Sequence, residues 1–562
     1  MIQGFPFQSS LFPGDTLTLH VSTDAPQFRV DIYRQGASLA FMFSSDWFAS
    51  PGINFPDHEA DADWSQDQTE ENGLTQGWPP FDISVPSSFV SGVYIAMLVE
   101  GDGNNQPRGN TPPLDTTTPD ARFGKALFVV RSPAPGVRTK ILYKLPLFTY
   151  HAYCDVGGWA LYTPPASETQ GEGESPAFVS IRRPGGGTGG HPWDDWNFDP
   201  ADRSSARQVF AHWDAPFIAW LEQNGYAIDY ATDLDLHTDP NMLAPYSLVL
   251  SVGHDEYWST EMRDQAELGF IQRGGNFAFF SGNTCWWKVD LTDGYRLRRT
   301  DNWSKTPNRP ENSLTGVSWR NGFEGDKDRP KFGYIVQNHA HWIFAGTGVN
   351  GAGLQEGDRF GFDEELIGYE ADGANFDRTQ GPPFVPKLDD GTPATFVILG
   401  VGDALQFAGG GNGNAAATMG VYTNGGTVFT GATTDWSRVV GLNGESNTVQ
   451  ITRNVINRLR RSGPAHYTAV WQPSTEGEIQ VYGWTYEDYR AKYDELWPQG
   501  WRLKLLDVYV VNGQVLYTAV WQPSSTEGEI QVYGWTYEDY RAKYDELWRQ
   551  GWRLKLLDVY AV

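Results

Sequence analysis

The chain has 562 residues and a formal charge of −27, long enough for several domains with a large core and acidic enough to argue against nucleic acid and anionic membrane surfaces as partners. Two cysteines, Cys154 and Cys285, make no disulfide scaffold, no apolar run is long enough to span a bilayer, and the N-terminal MIQGFPFQSS lacks the basic and apolar regions of a signal peptide; cytoplasmic and secreted locations both stay open. With 23 Trp, 62 Gly and 35 Pro the chain is turn-rich and aromatic, which favours β-structure over helix bundles.

Residues 1–137 read as an all-β sandwich. TLTLHV (16–21), FRVDIY (28–33), VYIAMLV (93–99) and ALFVVR (126–131) alternate or are rich in β-formers, and turn clusters such as GDGNNQP (101–107) and GNTPPLDTTTPD (109–120) separate them. No chemistry is evident in this part, and SPAPGV (132–137) reads as a linker.

Over 138–462 the pattern changes to strand alternating with helix. ILYKLPLFTY (141–150) reads as a strand leading into HAYCDVGGWALYTPP, and 166–200 as a loop rich in Gly, Pro and acids. Apolar spacing over 204–225 predicts a helix closed by Asn224-Gly225. Ala227–Ala231 reads as a strand, and TDLDLH after it as a loop. YSLVLSVGHDEYW (246–258) organises the rest: its apolar run predicts a buried strand, and His254, Asp255, Glu256 and Tyr257 follow where it ends. A helix over about 259–273, stopped by Gly274-Gly275, and the strand NFAFF (276–280) come next. WIFAG (342–346), ATFVILG (394–400) and GTVFTGA (426–432) continue the alternation, and 439–459 contains a closing helix. The expectation is an α/β core with a mostly parallel, amidotransferase-like sheet.

The tail is an internal repeat. Tyr467–Tyr509 recurs almost letter for letter as Tyr517–Tyr560, each copy reading as two strands, a helix (YEDYRAKYDELW) and a last strand. Two α+β modules, 463–512 and 513–562, are expected to pack side by side, and they resemble bacterial tandem repeats appended to secreted hydrolases. Their Trp and Tyr residues suit core packing better than glycan binding.

In an open α/β sheet, ligands bind beyond the carboxyl ends of the strands. His254 and Glu256 fall at such an end, although a plainer reading has Asp255 and Glu256 capping the next helix while His254 packs. There is no GxSxG elbow and no GxxxxGK[ST] loop, and the runs GGGTGG (185–190) and GGGNGN (409–414) lack a strand–helix context. Where doubly wound amidotransferases carry a nucleophilic Cys, this chain has His254 and Glu256. Cys154 and Cys285 have no evident basic partner, so a covalent mechanism is unsupported.

FTYHAYCDVGGWALY (148–162), GHDEYW (253–258), GGNFAFFSGNTCWW (274–287) and LIGYEADG (366–373) together resemble the large subunit of N,N-dimethylformamidase and its relatives, over about residues 5–460. The resemblance implies one iron ion per chain, as Fe(III), held by Tyr153, Tyr162 and Glu256, with His254 and Glu370 as the proton-handling groups. It also implies hydrolysis of a small amide and leaves open the need for a small subunit. Phenolates and carboxylate are hard oxygen donors suited to a hard cation, and a cation at contact would favour the phenolate over a phenol of pKa ~10. Apart from the resemblance, Tyr153 and Tyr162 read simply as aromatics beside a Gly-Gly turn. Two other classes stay open: a non-catalytic binding or surface protein using its aromatic repeats toward a glycan or protein partner, and another hydrolase acting on a polymer that the repeats recruit. A homo-oligomer is compatible with all three.

Overall fold

The structure is a computed structural model and describes residues 2–70, 73–108, 124–162, 177–188, 209–325, 332–405, 414–442, 444, 446–460, 479–484, 486–511, 514–523, 530–532, 537–552 and 554. The chain forms two compact units, Met1–Pro464 and Ala465–Val562.

In the first unit, strands Ile2–Pro6, Thr16–Thr23 and Pro80–Ser84 make an antiparallel sheet. A second sheet runs Ser10–Leu11, Lys125–Val130, Gly92–Gly101, Gln27–Gln35, Leu39–Ser44. Side chains spaced by two along these strands (Leu17, Leu19, Val21; Phe28, Val30, Ile32; Tyr94, Ala96, Leu98) share one apolar cluster, each contributing roughly 1.5–3 kcal/mol when fully buried as Val, Leu, Ile or Phe. The alternate positions Val93, Ile95, Leu127 and Val129 face the other way and join a cluster with Ile141, Tyr143 and Phe217. Arg34 pairs with Glu222 at 2.6 Å and Arg131 with Asp235 at 3.1 Å across the same contact. The second sheet is therefore apolar on both faces.

The core of this unit is a nine-stranded sheet. Asp229–Thr232, Ile141–Leu145, Leu248–His254, Asn276–Gly282 and Gly426–Thr430 run parallel, in that order. Ala416–Asn424, Val397–Asp403, Tyr334–Val336 and Arg359–Phe360 continue it antiparallel. The sheet is thus mixed where a mostly parallel one was expected. The reason is a one-residue hairpin at Gly425 (φ +83°), and a connection that short can join only antiparallel neighbours.

Several segments differ from their sequence reading. The strand at 141 ends at Leu145, and after Pro146 a wholly buried helix, Leu147–Tyr153, takes over. TDLDLH is a helix, Asp233–Thr238, started by a capping box between Thr232 and Asp235. WIFAG contains a 3₁₀ turn, Trp342–Phe344, rather than a strand. The helix at 259–273 begins at Thr260, loosens to a π-helix over Gln265–Phe270 and stops at Gly274 (φ +95°). The predicted loops at 166–176, 189–200 and 409–413 lie outside the described residues, as does the 109–120 turn cluster. Among the described residues no helix is long and apolar enough to cross a membrane.

The second unit holds the repeats. Strand Ile479–Trp484, helix Tyr486–Leu496 and strand Trp501–Val511 belong to the first copy, and strand Gln514–Pro523 and helix Tyr537–Arg549 to the second. The sheet order places Gln514–Pro523 between the two strands of the first copy. Val481, Tyr489, Tyr493 and Leu496 pack beneath it. The first copy's leading strand from Tyr467, and the end of the second copy at Tyr560, lie outside the described residues.

Candidate active site

The helix Leu147–Tyr153 presents Tyr153 at its last turn, and the N–H of Leu161 donates to the carbonyl of Ala152 at 2.9 Å, folding the following loop back so that Tyr162 lies beside Tyr153. The two rings are 4.7 Å apart between centroids. Glu256 follows the strand Leu248–His254, and its N–H donates to Thr149 Oγ1 on the same helix at 3.0 Å. Tyr153 donates to Glu256 Oε2 at 2.9 Å, and Tyr162 donates to Glu256 Oε1. The two phenols thus grip opposite oxygens of one carboxylate.

His254 is the last residue of the strand and fully buried; its Nε2 lies 2.9 Å from Glu370 Oε2 and 3.5 Å from Glu256 Oε2. Gly253 before it has φ +71°, and a Cβ there would lie 2.6 Å from Trp213 Cβ, so the turn that aims His254 requires glycine. Glu370 opens the strand Glu370–Gly373, tied to the neighbouring loop by Thr434 N–H donating to its carbonyl at 3.1 Å. All five residues singled out from the sequence therefore meet at one place, and Tyr153, Tyr162, Glu256 and Glu370 line a cavity of about 550 Å³.

Three further residues complete the arrangement. Trp287 Nε1 donates to Tyr162 Oη at 2.8 Å, Asn283 Nδ2 donates to Glu370 Oε1 at 3.2 Å, and Thr149 holds the Glu256 backbone. Asn283 has φ +47°, in the left-handed region that Asn tolerates better than most residues. Behind the site, Lys144 Nζ reaches Asp233 at 2.5 Å and Asp255 at 2.8 Å, and Asp233 Oδ2 accepts from the N–H of Phe148 at 2.9 Å. This buried bridge fixes the start of the tyrosine-bearing helix relative to the segment carrying Glu256.

Burial shifts the titrations. It pushes Glu256 up to about 7; His254 and the two phenols oppose this and Glu370 adds to it. Burial, reinforced by Glu256, raises both phenols well above their ordinary range. A cation displacing the shared protons would reverse this preference, and it would meet two phenol and two carboxylate oxygens already converging. The donor set therefore fits a hard metal ion. Among the described residues no group of three His, Cys, Asp or Glu side chains is arranged to hold a metal ion, and the oxygen donors at this site include the two phenols. Cys154 and Cys285 are buried free thiols whose pKa values burial raises, which suits inert packing.

A family model described as N,N-dimethylformamidase beta subunit-like, C-terminal, matches residues 29–449. One described as polyglycine hydrolase-like, structural repeat, matches 480–524 and 531–562; its first match covers the three strands that form the tail sheet. The N,N-dimethylformamidase beta subunit of Paracoccus aminophilus is 25% identical over 459 residues, 68% of this chain and 54% of that protein. That of an Alcaligenes species is 26% identical over 311 residues, 47% of this chain and 39% of that protein. The chain thus spans about half the length of the curated relatives it matches. A family 123 glycoside hydrolase from Clostridium perfringens shares 12% identity at a TM-score of 0.10, covering 26% of this chain and 27% of that one, too little to bear on the fold. With three quarters of its length under the first family model, the chain belongs to the N,N-dimethylformamidase beta subunit-like family and carries polyglycine hydrolase-like structural repeats at its C-terminal end.

Proposed function

We propose that this chain hydrolyses the C–N bond of an amide at a mononuclear iron site made by Tyr153, Tyr162 and Glu256, on an amidotransferase-like α/β core flanked by a β-sandwich. The observation that carries the reading is the convergence of the two phenols on opposite oxygens of Glu256, in a cavity they share with Glu370. The adjacent parallel strands Leu248–His254 and Asn276–Gly282, whose carboxyl ends carry His254 and lead into Asn283, support the comparison with the amidotransferase core. Bound there, iron would supply a Lewis acid able to polarise a carbonyl or acidify water.

The protein's own groups do the rest. Glu370 Oε2 and His254 Nε2, 2.9 Å apart, form a pair that takes a proton from water and returns it to the departing amine nitrogen. Asn283 holds the other oxygen of Glu370, which fixes the direction in which that carboxylate faces. Trp287 holds Tyr162 Oη in place.

The test is iron content and a visible spectrum on purified protein, with Tyr153→Phe alongside. Near-stoichiometric iron with a phenolate-to-iron charge-transfer band that weakens in the variant, together with turnover of small amides, is the expected result. Colourless protein that fails to take up iron would refute the reading. The relatives are named as beta subunits, and we extend this to a small amide as substrate and assembly with further chains as the working arrangement.

A further inference from the structure

The cavity is much larger than the reaction just described requires. A dialkyl amide the size of a few water molecules, each roughly 30 Å³, fills a fraction of about 550 Å³, and cavities of this size ordinarily hold much larger ligands. The remainder is lined by polar groups and by a cluster of indoles. Trp286 and Trp319 lie 5.3 Å apart between ring centroids at 54°, and Trp286 lies 6.0 Å from Trp287 at 69°. All three are only partly buried, whereas Trp64, Trp78, Trp213, Trp258, Trp303 and Trp436 are packed away completely. The indoles at the cavity are thus not core residues that happen to lie near it. The Trp319 Nε1 atom is buried and has no hydrogen-bond partner among the described residues, so what the residue can offer a guest is its ring. Lys305, Arg320 and Glu324 lie around the same cavity.

We propose that the cavity selects amides bearing an aromatic ring, gripped by Trp286 and Trp319 while the amide faces Glu256 and Glu370. This inference rests on the amidase reading, and it names the substrate class within it. Trp319 and Trp286 are specificity determinants, and ring-on-ring contact of this kind is worth roughly 3- to 10-fold in affinity.

The experiment compares N-methylformanilide with N,N-dimethylformamide, which differ only by phenyl for methyl, on iron-loaded full-length protein. The expected kcat/KM ratio favours the formanilide by about 10-fold or more, Trp319→Ala lowers that ratio roughly 3- to 10-fold, and Trp319→Phe largely restores it. Turnover of both amides with a ratio near unity, or a ratio that Trp319→Ala leaves unchanged, overturns the proposal and leaves the amidase reading intact. If neither amide is turned over, the amidase reading fails, and titration of indole fluorescence with N-methylformanilide decides the ring site separately. Saturable quenching weakened by Trp319→Ala supports it, and absence of saturable binding overturns it. Should Trp319→Ala not fold, Trp286→Ala replaces it in every arm.

Discussion

Trp287 distinguishes the two phenols, since its indole N–H donates to Tyr162. Partners that orient a metal-binding group typically matter by 10–100-fold. Trp287→Phe should therefore weaken iron binding by roughly that factor while keeping near-native stability, as read by metal titration and thermal unfolding; unchanged affinity would exclude an orienting role. A second prediction concerns Asp214, fully buried, which accepts from Tyr143 at 2.7 Å and from Tyr150 and is pushed by burial from 3.8 up to about 7. Below about pH 4 it is protonated in both folded and unfolded chains. Between about 4 and 7 the unfolded chain releases the proton and the folded one keeps it, so stability falls as pH rises, by about 1.4 kcal/mol per unit, and levels off above 7. Thermal unfolding between pH 5 and 7.5 should show this fall, shallower in Asp214→Asn; an equal slope in the variant would assign it to other buried acids. Glu256 and Glu370 could be singled out from the sequence because the strings around them resemble a known family. Asn283 and Trp287 lie in another of those strings, GGNFAFFSGNTCWW, but nothing in it assigns them a role: an Asn with positive φ reads as an ordinary turn residue, and a tryptophan in an aromatic-rich chain announces no partner.

At the scale of elements, the site depends on how closely the strand Asn276–Gly282 approaches the loop that carries Thr434 and the start of the strand that carries Glu370. A Cβ at Gly282 would lie 2.6 Å from the nitrogen of Thr434 and 2.7 Å from the carbonyl oxygen of Glu370. Gly282→Ala should cost roughly 1–3 kcal/mol, measured by urea unfolding, and displace Glu370 enough to lower activity. A fully active, equally stable variant would show that the loop gives way freely. The central strands were legible because Val, Ile, Leu and Phe runs between turn residues have few other uses; Leu248–His254 and Asn276–Gly282 are examples. The helix Asp233–Thr238 was not, since six residues opened by Asp look like a loop until the Thr232–Asp235 capping box is seen. The antiparallel half of the sheet escaped because pairing direction depends on connection length, which local periodicity does not encode.

At the scale of the molecule, all five site residues lie within Met1–Pro464. The 1–464 fragment should fold alone, take up iron as the full chain does and keep its rate on a small soluble amide within about twofold, the usual range when two parts do not interact. Loss of iron uptake on removing the repeats would show that the tail supports the site. The chain divides into its two compact units at Pro464, close to where the duplicated sequence begins. The sheet of Gly92–Gly101 and Lys125–Val130 gives one face to each neighbour, a two-sidedness that alternation alone reveals only when both partners are known.

The strand Gln514–Pro523 lies inside the first copy's sheet although its sequence belongs to the second. The segment duplicated in the gene and the segment that folds are therefore out of phase. Counted by sequence, the tail is two successive copies; counted by hydrogen bonds, a strand of the second copy stands inside the sheet of the first. A break at the apparent boundary, between Val511 and Gln514, would therefore part strands that are hydrogen-bonded to each other.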